Sequence, residues 1–185
     1  MNILIAFVWF FCSSGMAHDG VHSSIAILFA NQNSEWPVVM SNWGFFRHDE
    51  QGWRWLCPET FDTIDLYTLA VSPQDEWWIG TLDGMWSSQD QCFFSSTIFE
   101  DEYVSSIHSE QDELWVTTAT GFMDNYLWYS NDGGENFDIV GDFGSGSRLY
   151  FFFVAGVRQW VGGTHDGGSF IWWRDGMDSQ WSSID

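Results

Sequence analysis

The sequence predicts an all-β chain, a propeller-type array of four four-stranded antiparallel blades. Three observations lead there. First, a unit of one design recurs: "EWPVVMSNWGFFRHDEQGW" from Glu35, "EWWIGTLDGMWSSQDQCF" from Glu76, "ELWVTTATGFMDNYLWYSNDGGENF" from Glu113 and "RQWVGGTHDGGSFIWWRDGMDSQW" from Arg158. The units close on Trp53, Phe93, Phe137 and Trp181, spaced by 40, 44 and 44 residues. That is the length of one four-stranded blade and too long for a leucine-rich or ankyrin unit. Second, each unit is preceded by a strand-like run, "SSIAILFA", "TIDLYTLAVS", "YVSSIHS" or "RLYFFFVA", rich in β-branched and aromatic residues between turn formers. Third, helical periodicity is absent after the first residues.

Taken in order, the chain opens on "MNILIAFVWFFCSSGMAHDG", with about ten apolar residues from Ile3 to Cys12, too few to span a bilayer. Gly15 and Ala17 supply the small residues of a cleavage site before His18, so 1–17 reads as a signal peptide, with a buried first strand as the competing reading. Bulky Phe10 and Phe11 argue against a lipid anchor on Cys12. Export leaves Cys57 and Cys92 as a candidate disulfide, which requires Cα atoms within about 7 Å. The remainder, 18–185, divides into approximate repeats 24–63, 64–102, 103–147 and 148–185.

Within a unit the first run, uniformly apolar, is expected innermost and buried on both faces. A polar turn, a Trp-bearing strand, a Gly-bearing loop, a second aromatic strand, an acidic turn and the closing aromatic follow. For the second unit the four strands are expected at 64–72, 76–82, 84–89 and 92–99.

Charge narrows the partners. Against 26 Asp and Glu stand five Arg and no Lys, a formal net charge of -21. Nucleic acid and anionic membranes are bound by neutralising phosphates with Lys and Arg, so both are excluded, whereas cations or basic partners fit. The plain reading of the excess is a solvated surface that keeps a chain with 14 Trp soluble.

The pattern Ser130-x-Asp132-x-Gly134-x-x-Phe137 resembles the Asp-box, or BNR repeat, of sialidase-like propellers. The resemblance implies a hairpin between third and fourth strands. In it the aspartate accepts backbone N–H bonds, glycine supplies a positive φ, and the aromatic packs between blades. Burying one such ring removes about 150 to 250 Å² from water, about 4 to 6 kcal/mol as an upper bound, so the ring outlasts the rest of the box as the pattern decays. The other units keep Asp49, Gly52 and Trp53; Ser88, Asp90 and Phe93; and Asp175 or Asp178 with Trp181. The likeness spans 24–185 and is closest to secreted bacterial Asp-box proteins, in which "WRWLCPE" and "QCF" have counterparts. It implies a fold and no activity.

A sialidase would need an arginine cluster and an Arg-Ile-Pro stretch. Arg47, Arg54, Arg148, Arg158 and Arg174 include no such stretch, and Arg47 and Arg174 open decayed boxes. Other glycosidases need two carboxylates flanking a cleft. Ligands of such propellers meet the loop face opposite the boxes, which here holds Trp43, Asp83, Asp124, His165 and Asp166, with Asp142 and Ser147 between the last two units. Each also reads as an ordinary solvated loop residue. His18 and His22 read as a mobile terminus rather than a copper site. "NDGGENFD" lacks the Asp-x-Asp-x-Asp-Gly spacing of a calcium loop, so no metal or cofactor is expected.

The function expected is an extracytoplasmic recognition or scaffold module, secreted, periplasmic or at the cell surface, that binds a glycan or a protein. The alternative is a carbohydrate-active hydrolase completed by further blades. An open array would expose the apolar face of its last blade, around Phe151 to Val154 and Trp172, to missing blades or a partner.

Overall fold

A computed structural model describes residues 24–28, 37–41, 44–56, 68–72, 74–89, 94–96, 99–119 and 124–184. The signal-peptide segment, His18, His22, Trp43, Asp90, Phe93 and both cysteines of the candidate disulfide lie outside them.

Sixteen strands and no helix are found among the described residues. Blade 1 holds β1 (Ser24–Leu28), β2 (Val38–Ser41), β3 (Gly44–Asp49) and β4 (Gly52–Leu56); blade 2 holds β5 (Thr68–Val71), β6 (Trp77–Thr81), β7 (Gly84–Ser88) and β8 (Ser95–Ser96). Blade 3 holds β9 (Val104–Glu110), β10 (Glu113–Thr118), β11 (Asp124–Ser130) and β12 (Asp138–Ser145); blade 4 holds β13 (Ser147–Ala155), β14 (Arg158–His165), β15 (Gly168–Asp175) and β16 (Ser182–Ile184). Each blade is a separate antiparallel meander in chain order. First strands of adjacent blades, β5 with β9 and β9 with β13, lie against one another, which makes them the inner strands.

Repetition extends to atoms. Ser41 Oγ donates to the Gly44 carbonyl at 3.0 Å, and Thr81 Oγ1 donates to the Gly84 carbonyl at 3.0 Å. Both close the turn between second and third strands. Gly84 has φ +131°, and a Cβ there would stand 2.7 Å from the Phe99 carbonyl oxygen. Only glycine lets this turn pass beneath the connection to blade 3.

Period-2 alternation gives every blade two faces, and stacking buries one face against the next blade. Val38 and Phe45 of blade 1 meet Leu69, Trp77 and Ile79 of blade 2. Trp78, Met85 and Phe99 of blade 2 meet Val104, Leu114 and Val116 of blade 3. Trp115 and Leu127 of blade 3 meet Leu149, Phe152 and Val161 of blade 4. Among the described residues the hydrophobic core is therefore three inter-blade layers rather than one central mass.

Two expectations are corrected. The inner strands β9 and β13 are not buried on both faces; the second strands β6 and β10 are the most buried. Inner strands border the central axis on one edge, whereas second strands are covered on both faces and both edges. Trp172 does not lie on the open face of blade 4 but packs inward against Phe143, with centroids 4.6 Å apart. Its neighbours Ile171 and Trp173 point the other way, as strand parity requires.

Candidate functional site

The Ser130–Phe137 turn is built from its own side chains. Ser130 Oγ accepts the Gly134 N–H at 2.9 Å and donates to Asp132 Oδ1 at 2.7 Å. Asp132 Oδ1 also accepts the Glu135 and Asn136 N–H groups at 3.1 and 3.0 Å, and Oδ2 accepts Asn136 Nδ2 at 2.8 Å. These bonds, the Asn136 side chain's first, lower the Asp132 carboxyl to a pKa of about 2. Every acceptor site of the carboxylate that faces the turn is occupied by the turn itself, so it is not poised for acid–base chemistry. Gly134, at φ +88°, lies where a Cβ would be 2.4 Å from the Trp78 ring of blade 2. Phe137 stacks edge-on to Phe99, centroids 5.0 Å apart, in the same inter-blade layer. The turn thus fastens blade 3 to blade 2.

Blade 4 solves the same corner with opposite polarity. Arg174 pairs with Gln159 where Ser130 pairs with Leu114, the same place in the blade. Buried, it donates to Gln159 Oε1 at 2.6 Å and, through Nη1, to the carbonyls of Val140 and Met177 at 3.1 and 3.2 Å. Its guanidinium lies 4.5 Å from the ring centroid of Trp181. A cation donating to carbonyls replaces a hydroxyl and carboxylate accepting amides. Asp175 faces away from that turn and pairs with Arg158 at 2.6 Å, so its expected role as the box carboxylate is corrected. In blade 1, Asp49 contributes its backbone to the hairpin with Gly52, while Trp53 is exposed and edge-on to His48 at 5.0 Å.

On the opposite loop face, Asp83 sits in the turn after Thr81, its N–H on Thr81 Oγ1 at 3.1 Å and its carbonyl accepting the Asp101 N–H at 3.3 Å. Asp142 Oδ1 accepts the Gly144 N–H at 2.9 Å. Asp124 Oδ2 accepts the Tyr126 hydroxyl at 3.4 Å. Desolvation first, then the charges of Asp124 and Asp142, raises the Tyr126 phenol.

Ser147, His165 and Asp166 come together in a triad-like row. Ser147 Oγ lies 2.9 Å from His165 Nδ1, and His165 Nε2 lies 3.3 Å from Asp166 Oδ2. Chemistry separates the row from a hydrolytic triad. Ser147 is buried and its hydroxyl proton is committed to the Phe143 carbonyl at 2.6 Å. Nδ1 must then donate to Oγ, so the imidazole cannot act as the base that deprotonates it. The row fastens the β12–β13 connection to the β14–β15 turn.

Sequence reasoning missed a cleft at the box edge between blades 2 and 3. Its volume is about 200 Å³, and its lining includes Ser72, Gln74, Glu76, Trp78, Gln89 and Asp112. Ser72 Oγ fixes the β5–β6 hairpin by accepting the Gln74 and Glu76 N–H groups at 3.2 and 3.1 Å. Gln74 Nε2 crosses to Asp112 Oδ1 of blade 3 at 3.2 Å. Burial raises the Glu76 carboxyl above its ordinary pKa, opposed by a hydrogen bond with Gln89. The signal available beforehand was the Glu that precedes the Trp-bearing strand in three of the four units. Nothing in the sequence alone separates Glu76 from Glu113, which instead accepts the Tyr129 hydroxyl at 2.6 Å. Among the described residues no group of three or more His, Cys, Asp or Glu is arranged to hold a metal ion.

Comparison with known proteins returns the fold. No protein family and no curated protein matches the chain. Among solved structures, the chain is similar to an ancestral GH74 enzyme, a propeller-type protein, with a TM-score of 0.57 at 12% identity. The match covers 84% of this chain and 30% of that one. The chain therefore spans about a third of the length of that neighbour, and what they share is blade architecture.

Proposed function

We propose that this protein is an extracytoplasmic recognition propeller of the Asp-box type, exported by its N-terminal segment, whose ligand is a neutral glycan. The observation that carries this reading is the cleft between blades 2 and 3. Amide, hydroxyl and carboxyl groups of Gln74, Gln89, Ser72 and Glu76 surround one edge of Trp78, with no Lys or Arg in the lining. That mixture suits a polyhydroxylated ring, whose hydroxyls donate and accept in turn. A chain of net charge -21 repels anionic ligands, which narrows the glycan to neutral sugars. About 200 Å³ holds one small polar unit rather than a long oligomer, so the cleft would grip a chain end or a branch.

The competing reading is a carbohydrate-active hydrolase, supported by the likeness to a GH74 enzyme. Its requirement is a second carboxylate set across a substrate from a raised one. Among the described residues Glu76 is the carboxyl whose pKa is raised; Asp112, the other carboxylate in the cleft lining, accepts Gln74 Nε2 at 3.2 Å, and the loop-face acids Asp124, Asp142 and Asp166 are each engaged locally. A neutral-glycan array followed by calorimetry on the best hit tests the binding reading. Binding should weaken at least 10-fold in Gln89→Ala and Glu76→Ala, with the sugar recovered intact. Release of reducing ends, abolished by Glu76→Gln, would replace the binding reading with the hydrolase; absence of any neutral-sugar ligand would remove both.

A further inference from the structure

The two walls of the cleft between blades 2 and 3 differ in how their polar groups are used. On the blade 2 wall, Ser72 Oγ holds its own hairpin, Gln74 Nε2 crosses to Asp112, and Glu76 shares a hydrogen bond with Gln89. These groups are engaged with the protein itself. On the blade 3 wall stands Gln111, in the two-residue turn between β9 and β10. Its side chain is exposed at the cleft, and its amide makes no hydrogen bond among the described residues. A donor and an acceptor are therefore free at one point of the lining.

Backbone conformation singles out the same residue. Among the described residues four that are not glycine take a positive φ: Asp75, Asp101, Asp166 and Gln111. Aspartate tolerates this region because its short side chain hydrogen-bonds locally, whereas a long amide does not, so Gln111, at φ +57°, holds strain that aspartate relieves. Blade 4 shows what the turn alone would select. Ala155 pairs with Arg158 across β13 and β14 as Glu110 pairs with Glu113 across β9 and β10, and the first residue of that turn is Gly156, at φ +65°. Glycine takes this conformation without strain. The turn does not require glutamine; the cleft beside it supplies the reason for one.

We propose that Gln111 is the specificity-determining residue of the cleft, its amide reading two adjacent hydroxyls of one bound sugar: Nε2 donates to the first and Oε1 accepts from the second. This rests on the glycan reading and adds to it the feature of the sugar that is recognised. An amide presents donor and acceptor side by side, as a pair of neighbouring hydroxyls does, so one side chain engages both. Removing either hydroxyl leaves half of the amide unpaired, which is how a polar site rejects an analogue that lacks a group. The cleft, at about 200 Å³, takes one such ring. Backbone strain is then held at the position where it places a binding group.

NMR titration of the purified full chain with the methyl glycosides of glucose, galactose, mannose and xylose tests this, alongside urea unfolding of each variant. At least one of the four should bind. Gln111→Gly should weaken that binding about 10-fold, the loss of two neutral hydrogen bonds, while raising the urea midpoint. A purely structural glutamine would move both readouts in the same direction. Monodeoxy analogues of the bound glycoside, altered at either of two adjacent positions, should bind the wild type less tightly and bind Gln111→Gly as the parent sugar does. Gly156→Gln measures the strain by itself: nothing lies within 4 Å of the added Cβ, so it should lower the midpoint and leave binding unchanged. Unchanged binding or a lowered midpoint in Gln111→Gly, an unchanged midpoint in Gly156→Gln, or deoxy analogues that all bind as the parent does would each overturn the assignment of Gln111 and leave the glycan reading standing. Binding of none of the four overturns the assignment too, and the glycan array then decides the broader reading separately.

Discussion

Phe137→Ala measures how far the closing aromatic, rather than the carboxylate turn, fastens blade 3 to blade 2. The ring packs against the inter-blade layer beside Phe99 and Trp128. A phenylalanine presents about 200 Å²; with roughly 150 Å² covered, about 25 cal/mol/Å² gives about 4 kcal/mol as an upper bound. A compact unfolded state trims that to about 3 kcal/mol. Phe99, at 1% exposure, should cost more on truncation, about 4 to 5 kcal/mol, because the cavity it leaves is enclosed. The edge-on pair adds about 0.5 to 1.5 kcal/mol that only a double-mutant cycle separates. Equilibrium urea unfolding followed by tryptophan fluorescence, with the slope held constant across variants, gives all three numbers. A loss below about 1 kcal/mol for Phe137→Ala, or a coupling indistinguishable from zero, would refute the claim that this ring spans two blades.

Three further outcomes follow from the same geometry. Gly133→Ala should cost about 1 kcal/mol from its positive φ alone, since nothing lies within 4 Å of the added Cβ, whereas Gly134→Ala should cost clearly more because the Cβ meets Trp78 at 2.4 Å; urea midpoints rank them. Asp132 has a folded pKa of about 2 against an ordinary 3.8, so its contribution is complete above the ordinary value and is lost as pH falls from there through about 2; Asp132→Asn should abolish that dependence, read as amide exchange at Glu135 and Asn136. His108, wedged between Trp115 and Phe152, has its pKa lowered by burial against the opposing charge of Glu110. The unfolded chain takes up a proton first, so stability is full above 6.5 and declines as pH falls from 6.5 toward the folded value; a flat urea midpoint across that window, or an equal decline in His108→Phe, would contradict it.

The blades were legible in the sequence because stacking demands a repeated pattern, and the aromatics at Trp53, Phe137 and Trp181 carry it at fixed spacing. The turn at Ser130 was legible too, since its hydrogen bonds are local and need only the right residues two to six positions apart. Parity was harder: Trp172 and Trp173 are adjacent, and which one faces inward depends on register, not composition. Arg174 shows why a decayed box misleads. The corner survives with a cation donating to carbonyls, an exchange of donor for acceptor that no pattern of acids and glycines predicts. The cleft at Glu76 was invisible because its walls come from two blades and are joined by the Gln74–Asp112 bond, across 38 positions of chain. Among the loop-face candidates, Ser147, His165 and Asp166 are indeed neighbours, yet the hydroxyl's bond to the Phe143 carbonyl decides what that row can do.

Blade stacking itself is tested most directly by the contact between Trp78 and Gly134. In the isotope-labelled protein, a strong nuclear Overhauser effect between the Trp78 indole ring and the Gly134 α-protons should appear, with Trp78 inaccessible to aqueous quenchers. A missing cross-peak together with a quenchable Trp78 would mean that blades 2 and 3 do not pack face to face, and the account of fold and cleft would fail with them.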